Sequence, residues 1–154
     1  MPLAVSQTSL RPMFVIIAVL SIAGIAVSGV SLQRHYAKSA TSYCDFSQSF
    51  NCDIVNRSEY SEIAGIPVAS IGVVGYALLF ILSAFRGSRA ETPTQLIAAA
   101  LAGMGFALYL TYVEAYQLRT WCILCLASQT LIFIITVLSA IIRFKRRTAS
   151  GVVF

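Results

Sequence analysis

The sequence predicts an all-α integral membrane protein, a bundle of four helices with a long extracytoplasmic loop between the first and the second. Three observations predict it. Apolar residues fill 58% of the 154 positions and charged residues 11%, against roughly 45–50% and 25% in soluble domains. Four apolar stretches are each long enough to cross a hydrocarbon core of about 30 Å as a helix. The charged residues fall almost entirely between and after these stretches. A soluble domain this small has too much surface for its volume to hide that apolar excess, so lipid is its solvent.

The first stretch, about 12–33, carries no charge. It is longer than the roughly 7–15 apolar residues of a cleaved signal sequence, so it reads as a retained helix. An outer loop follows over 34–62, then a second helix over about 63–85. The third helix, about 95–116, is announced by Thr92-Pro93, an N-cap residue followed by a first-turn proline. The fourth covers about 121–142, and a tail of 143–154 closes a single domain of 1–154. Backbone donors inside lipid must be paired within their own segment, which selects helices over open strands. Pairs of glycines, Gly24 with Gly29, Gly72 with Gly75 and Gly103 with Gly105, suit close helix approach, although glycine is also common in membrane helices generally.

Four spans put both termini and the middle loop on one side. That side holds Arg11, Arg86, Arg89, Arg143, Lys145, Arg146 and Arg147, while the other holds Arg34, Lys38, Arg57 and Arg119 over a longer stretch with acids of its own. The positive-inside bias therefore places the termini in the cytosol and the loop outside. The net charge of +5 comes largely from the run after the last span, as an anchor against anionic lipid requires. No basic stripe with interleaved aromatics accompanies it, which excludes a nucleic-acid partner.

The cysteines carry the chemistry. Cys44 and Cys52 lie in the outer loop; Cys122 and Cys125 form a Cys-x-x-Cys motif at the start of the fourth helix. All four fall on the side where disulfides persist. Residues three apart on a helix share a face, so Cys122 and Cys125 are able to bond. Cys122 falls in the first turn, where free N–H groups and the helix dipole favour the nucleophilic thiolate. Cys125 lies one turn deeper, within reach of a hydrophobic electron acceptor. A Cys44–Cys52 bridge would close a small, water-facing loop.

Three chemistries fit these cysteines: structural disulfides, a four-cysteine zinc site and redox exchange. A Cys-x-x-Cys bridge closes too short a loop to add much stability, and the Cys44–Cys52 spacing is unusual for zinc. Both points favour exchange.

The order of parts resembles the vitamin K epoxide reductase family, in its compact bacterial form. The resemblance rests on a helix, a loop with a spaced cysteine pair, two helices and a Cys-x-x-Cys opening the last helix. Ser58, six residues after Cys52, and Gly65-Ile66-Pro67-Val68-Ala69 add to it. It implies a four-helix bundle around a quinone of the ubiquinone, menaquinone or vitamin K type. It also implies that Cys44 meets a reduced thioredoxin-like partner, that Cys52 exchanges with Cys122, and that Cys125 contacts the quinone, with Ser58 beside them. No thioredoxin-like segment follows the fourth helix, so that partner is expected to be a separate periplasmic or lumenal protein, and the location a bacterial inner membrane.

The chain departs from vertebrate members at two quinone contacts. Gln129 stands where they have tyrosine, and Val68–Ser70 offer no asparagine. Gln129, with a donor and an acceptor, is a substitute candidate.

Other residues have two readings. Ser58 either flanks the site or caps a short helix through Glu59–Ile63. Tyr112, with Tyr109 and Tyr116 on one helical stripe, and Trp121 beside Cys122 either line a quinone pocket or form an interfacial belt. Glu114 either accepts protons as thiols are oxidised or pairs with Arg119 at the headgroup level. His35 reads as a juxtamembrane residue.

The function expected is a quinone-linked thiol oxidoreductase that reoxidises a thioredoxin-like protein for disulfide formation. The alternatives are a reductase run for its quinone or quinone-epoxide product, and a non-enzymatic membrane protein with structural disulfides. No charge stands mid-span, as a transporter would usually require.

Overall fold

In the computed structural model, which describes residues 3–37, 44–149 and 151, the long helices are α1 (Leu3–Tyr36), α3 (Val68–Phe85), α4 (Thr92–Tyr112) and α5 (Ile123–Ala149). Between α1 and α3 lie strands β1 (Asp45–Ser47) and β2 (Phe50–Asn51), the short helix α2 (Cys52–Asn56) and a 3₁₀ turn Glu59–Ser61. Strands β3 (Glu62–Ile63) and β4 (Ile66–Pro67) complete that segment. Lys38, counted above on the outer side, and residues 150 and 152–154 of the tail lie outside the described residues.

The long helices form a bundle in which α1 packs chiefly on α3 and α5, and α4 on α5. Its core is Leu10, Phe14 and Ile17 from α1, Tyr76, Leu79 and Leu82 from α3, Leu96 and Ala100 from α4, and Ile132, Ile135 and Ile142 from α5. The outward faces are equally apolar: Val15, Val19 and Ile22, Val74 and Ile81, Leu101 and Leu108, and Phe133 and Val137 are all exposed. Helices that are apolar all round belong in lipid. Four helices here are long and apolar enough to span it.

The helix limits differ from those the sequence predicts, each for a local reason. α1 runs through Pro12, which removes one backbone donor without ending the helix. α3 starts at Val68 and not near Ile63, because Ala64 and Gly65 both take positive φ, 53° and 80°. Two such residues make the tight turn of a β-hairpin, here β3–β4. α4 starts at Thr92 with Glu91 as its N-cap, one residue earlier than the Thr-Pro signal implies. α5 continues to Ala149, so most of the supposed tail is helix.

The glycines divide. A Cβ at Gly24 would fall 2.3–2.5 Å from the Tyr76 ring, and one at Gly72 2.7 Å from Ser28 Oγ, so these two permit the α1–α3 contact. Gly103 sits against Ile132, whereas Gly29, Gly75 and Gly105 have open space.

At the far end of the bundle, Arg146 donates to the carbonyls of Gly87 (2.6 Å) and Arg89 (2.7 Å) and lies over the Phe14 ring. Arg143 donates to Thr94 Oγ1. Part of the basic run thus ties α5 to the α3–α4 connection in addition to any role at the lipid surface.

Candidate functional site

The segment between α1 and α3 folds back over one end of the bundle. β1 and β2 pair antiparallel, and the tip of this hairpin is joined to the residue before the Cys-x-x-Cys motif. Trp121 N–H donates to Ser49 O at 2.8 Å and Asn51 N–H donates to Trp121 O at 3.1 Å, a parallel bridge between Phe50 and Trp121. Asn51 then caps α2, its Oδ1 accepting from Ile54 N–H at 3.0 Å. The next residue is Cys52, so one clasp fixes both the entry to α2 and the entry to α5.

Cys44 and Cys52 form a disulfide with Cα atoms 5.5 Å apart, and Cys122 and Cys125 are free thiols. Cys44, Cys52 and Cys122 are buried in one cluster, with Val55, Leu124 and Cys125 packed against it. Cys122 is the N-cap residue of α5, its carbonyl accepting from Leu126 N–H at 2.9 Å. The Asn56 amide at the end of α2 reaches its sulfur at 4.0 Å. A hydrogen bond from the Cys125 side chain holds the Cys122 thiol below its ordinary pKa, with burial and the Glu114 carboxylate opposing it. A lowered pKa raises the thiolate fraction, and the thiolate is the nucleophile; the neighbour across the cluster is a disulfide.

Beneath the cysteines lies a cavity of about 380 Å³ walled by the loop-side halves of all four long helices. Most of the wall is apolar, and its polar groups include Cys125, Glu114, Gln129, Asn56, Ser58 and His35. Gln129 is held across the α4–α5 contact by Thr111 Oγ1 at 3.4 Å and Met104 Sδ at 4.0 Å. Tyr76 hydroxyl bonds to Ser128 O and Oγ at 2.8 and 2.9 Å. Ser58 donates to Val55 O at 2.8 Å, closing α2, and makes no side-chain cap to the 3₁₀ turn after it.

The cavity does not include Tyr112 or Trp121. Tyr109, Tyr112 and Tyr116 are exposed on the outer surface, as a headgroup-level belt requires. Trp121 contributes its backbone to the clasp.

The sequence missed three features. α4 passes into a π-helical turn, Val113–Leu118, where the sequence predicts plain α-helix. That turn carries Glu114 inward to 2% exposure, its Oε2 accepting from Cys122 N–H at 3.3 Å. Arg119 is exposed and, among the described residues, Glu114 makes no ion pair with it, so the expected Glu114–Arg119 pairing is corrected. His35 is not an isolated juxtamembrane residue. Its Nδ1 bonds to Asn56 O at 2.6 Å and its Nε2 to Glu62 Oε1 at 3.0 Å.

Comparison with protein families matches the vitamin K epoxide reductase family over residues 15–140, from within α1 to within α5. The chain belongs to this family. Membership makes it a membrane oxidoreductase of a kind linked in general to quinones and to thioredoxin-like partners. No curated protein matches the chain. The cavity fits a quinone on its own features: an apolar slot of ligand size with a few polar groups and a free thiol in its wall.

Proposed function

We propose that the protein moves electrons from a separate thioredoxin-like protein to a membrane quinone by way of its two cysteine pairs. The observation that carries this reading is the burial of Cys122 in one cluster with the Cys44–Cys52 disulfide, while its partner Cys125 lines the apolar cavity. The quinone, when bound, supplies a two-electron acceptor that no side chain can replace.

The protein's own part is thiol–disulfide exchange. A reduced partner attacks the Cys44–Cys52 bond at Cys44, and the released Cys52 thiolate exchanges with a Cys122–Cys125 disulfide at Cys122. Cys125, freed as a thiol, is left facing the cavity. Asn56 and Cys125 stabilise the Cys122 thiolate by hydrogen bonding; Gln129 and Ser58 offer polar contacts to a head group at the Cys125 end. The loop lies on the extracytoplasmic side of a bacterial inner membrane and both termini are cytosolic, so the reduced partner meets the loop outside.

The test is a coupled assay. Quinone should be consumed in step with oxidation of an added reduced thioredoxin-like protein, and Cys44→Ser or Cys125→Ser should trap a Cys52–Cys122 bond seen as a cross-linked peptide. If only Cys44–Cys52 and Cys122–Cys125 bonds ever form, the pairs are structural and the reading fails.

A further inference from the structure

Glu114 is the most confined acid among the described residues, at 2% exposure, and its bond to Cys122 N–H accounts for one oxygen only. Oε1 is buried and has no hydrogen-bond partner. The Cys125 thiol comes within reach of this carboxyl, and both residues line the cavity. An orphaned carboxyl oxygen is costly to bury, and α4 leaves its regular geometry to put it there: the π-helical turn Val113–Leu118 begins one residue before it. Such turns inside helices recur at functional sites.

We infer that Glu114 is a catalytic residue, the proton acceptor for Cys125 at the quinone-facing step. The inference rests on the function proposed above and adds the route of the proton. When Cys122 and Cys125 are oxidised, one S–S bond forms and two S–H bonds break. The electron pair and both protons pass to the quinone, giving the quinol. Glu114 Oε1 takes the Cys125 proton and returns it on the cavity side; the second proton is that of Cys122. The other ionisable groups on the cavity wall are His35, Tyr60 and Tyr76. The two ring nitrogens of His35 and the Tyr76 hydroxyl are already engaged, and Arg119, on the same turn as Glu114, is exposed.

The first readout needs no quinone. In Cys122→Ser protein with the Cys44–Cys52 bond intact, Cys125 is the one thiol left, and its infrared S–H stretch reports its acceptor. The band should be lowered and broadened, or missing, with Glu114 present, and should move to the position of a free thiol in Cys122→Ser/Glu114→Gln. The second readout uses the full cysteine set. Glu114→Gln should slow single-turnover quinone reduction roughly 10²-fold, the low end for loss of a general base. It should leave trapping of the Cys52–Cys122 bond intact, and Glu114→Asp should recover most of the rate. An S–H band that ignores the Glu114→Gln change, or quinone reduction within twofold of the parent, overturns the assignment. If the parent protein itself consumes no quinone, the proposed function fails, and the S–H result still decides whether Glu114 accepts from Cys125.

Discussion

Phe50 and Trp121 pair as a parallel β-bridge, the outer hairpin lending its edge to the residue that precedes Cys122. Two backbone hydrogen bonds make the contact, and the two cysteines proposed to exchange, Cys52 and Cys122, lie immediately after it in the chain. Positioning of this kind is worth a great deal in a reaction between a thiolate and a disulfide, because it replaces a diffusive encounter with a held geometry. Trp121→Pro removes the N–H that Ser49 accepts and should open the clasp. The expected outcome is a rate of Cys52–Cys122 bond formation, followed in Cys44→Ser/Cys125→Ser protein after a small disulfide such as oxidised glutathione is added as the two-electron oxidant, at least about tenfold lower. A rate equal to that of the parent would mean the clasp does not govern the approach.

The clasp also marks where the sequence stops being legible. Four spans follow from length and apolar content, and the Cys-x-x-Cys motif shows its own helix start. Nothing in Ser49, Phe50 or Trp121 announces a mutual pairing, because backbone hydrogen bonds carry no side-chain signature. Gly65 is a visible turn signal, but Ala64 at positive φ is not, so the hairpin reads as the start of α3. Glu114 is visible as an acid near a helix end; its inward direction depends on a π turn, which has no composition of its own. The Tyr109, Tyr112 and Tyr116 stripe shows in the sequence as one face, and only packing decides that the face is outward.

The glycines give a matched pair of substitutions. Gly24→Ala places a methyl 2.3–2.5 Å from the Tyr76 ring carbons, whereas Gly29→Ala meets nothing within 4 Å. Forcing Tyr76 aside strains its bonds to Ser128, and overpacking costs typically 1–3 kcal/mol. At Gly29 the gain in helix propensity of about 0.5–1 kcal/mol is free to appear. Thermal unfolding in detergent should therefore fall for Gly24→Ala and hold or rise for Gly29→Ala. Equal behaviour of the two would contradict the close α1–α3 contact.

Arg146 offers a test at the opposite end. Its guanidinium spans the carbonyls of Gly87 and Arg89 and lies 5.6 Å from the centroid of Phe14. A lysine ammonium has no fork with which to hold both carbonyls in one geometry. Arg146→Ala should destabilise the protein by roughly 1–2 kcal/mol, allowing for partial exposure, and Arg146→Lys by less. Faster proteolysis in the α3–α4 connection, with redox exchange unaffected, is the accompanying signature. An unchanged cleavage rate would return Arg146 to the role of a lipid anchor alone.

The depressed pKa of Cys122 sets a pH dependence whose sign can be worked out. Only the thiolate attacks, and its fraction grows as pH rises through the pKa. A lowered pKa therefore brings the rise in reactivity to lower pH than the value near 8.5 of a free cysteine. The main cause is the hydrogen bond from the Cys125 side chain, while burial and the Glu114 charge push the other way. In Cys44→Ser/Cys52→Ser protein, alkylation of Cys122 by a small uncharged reagent, assigned by peptide mass, should rise with a midpoint below that of a free cysteine under the same conditions. Adding Cys125→Ala removes the side-chain donor and leaves burial and the Glu114 charge in place, so the midpoint should move up. A midpoint that stays fixed when Cys125 is replaced would detach the Cys122 thiolate from its partner, and the helix N-terminus alone would then have to stabilise it.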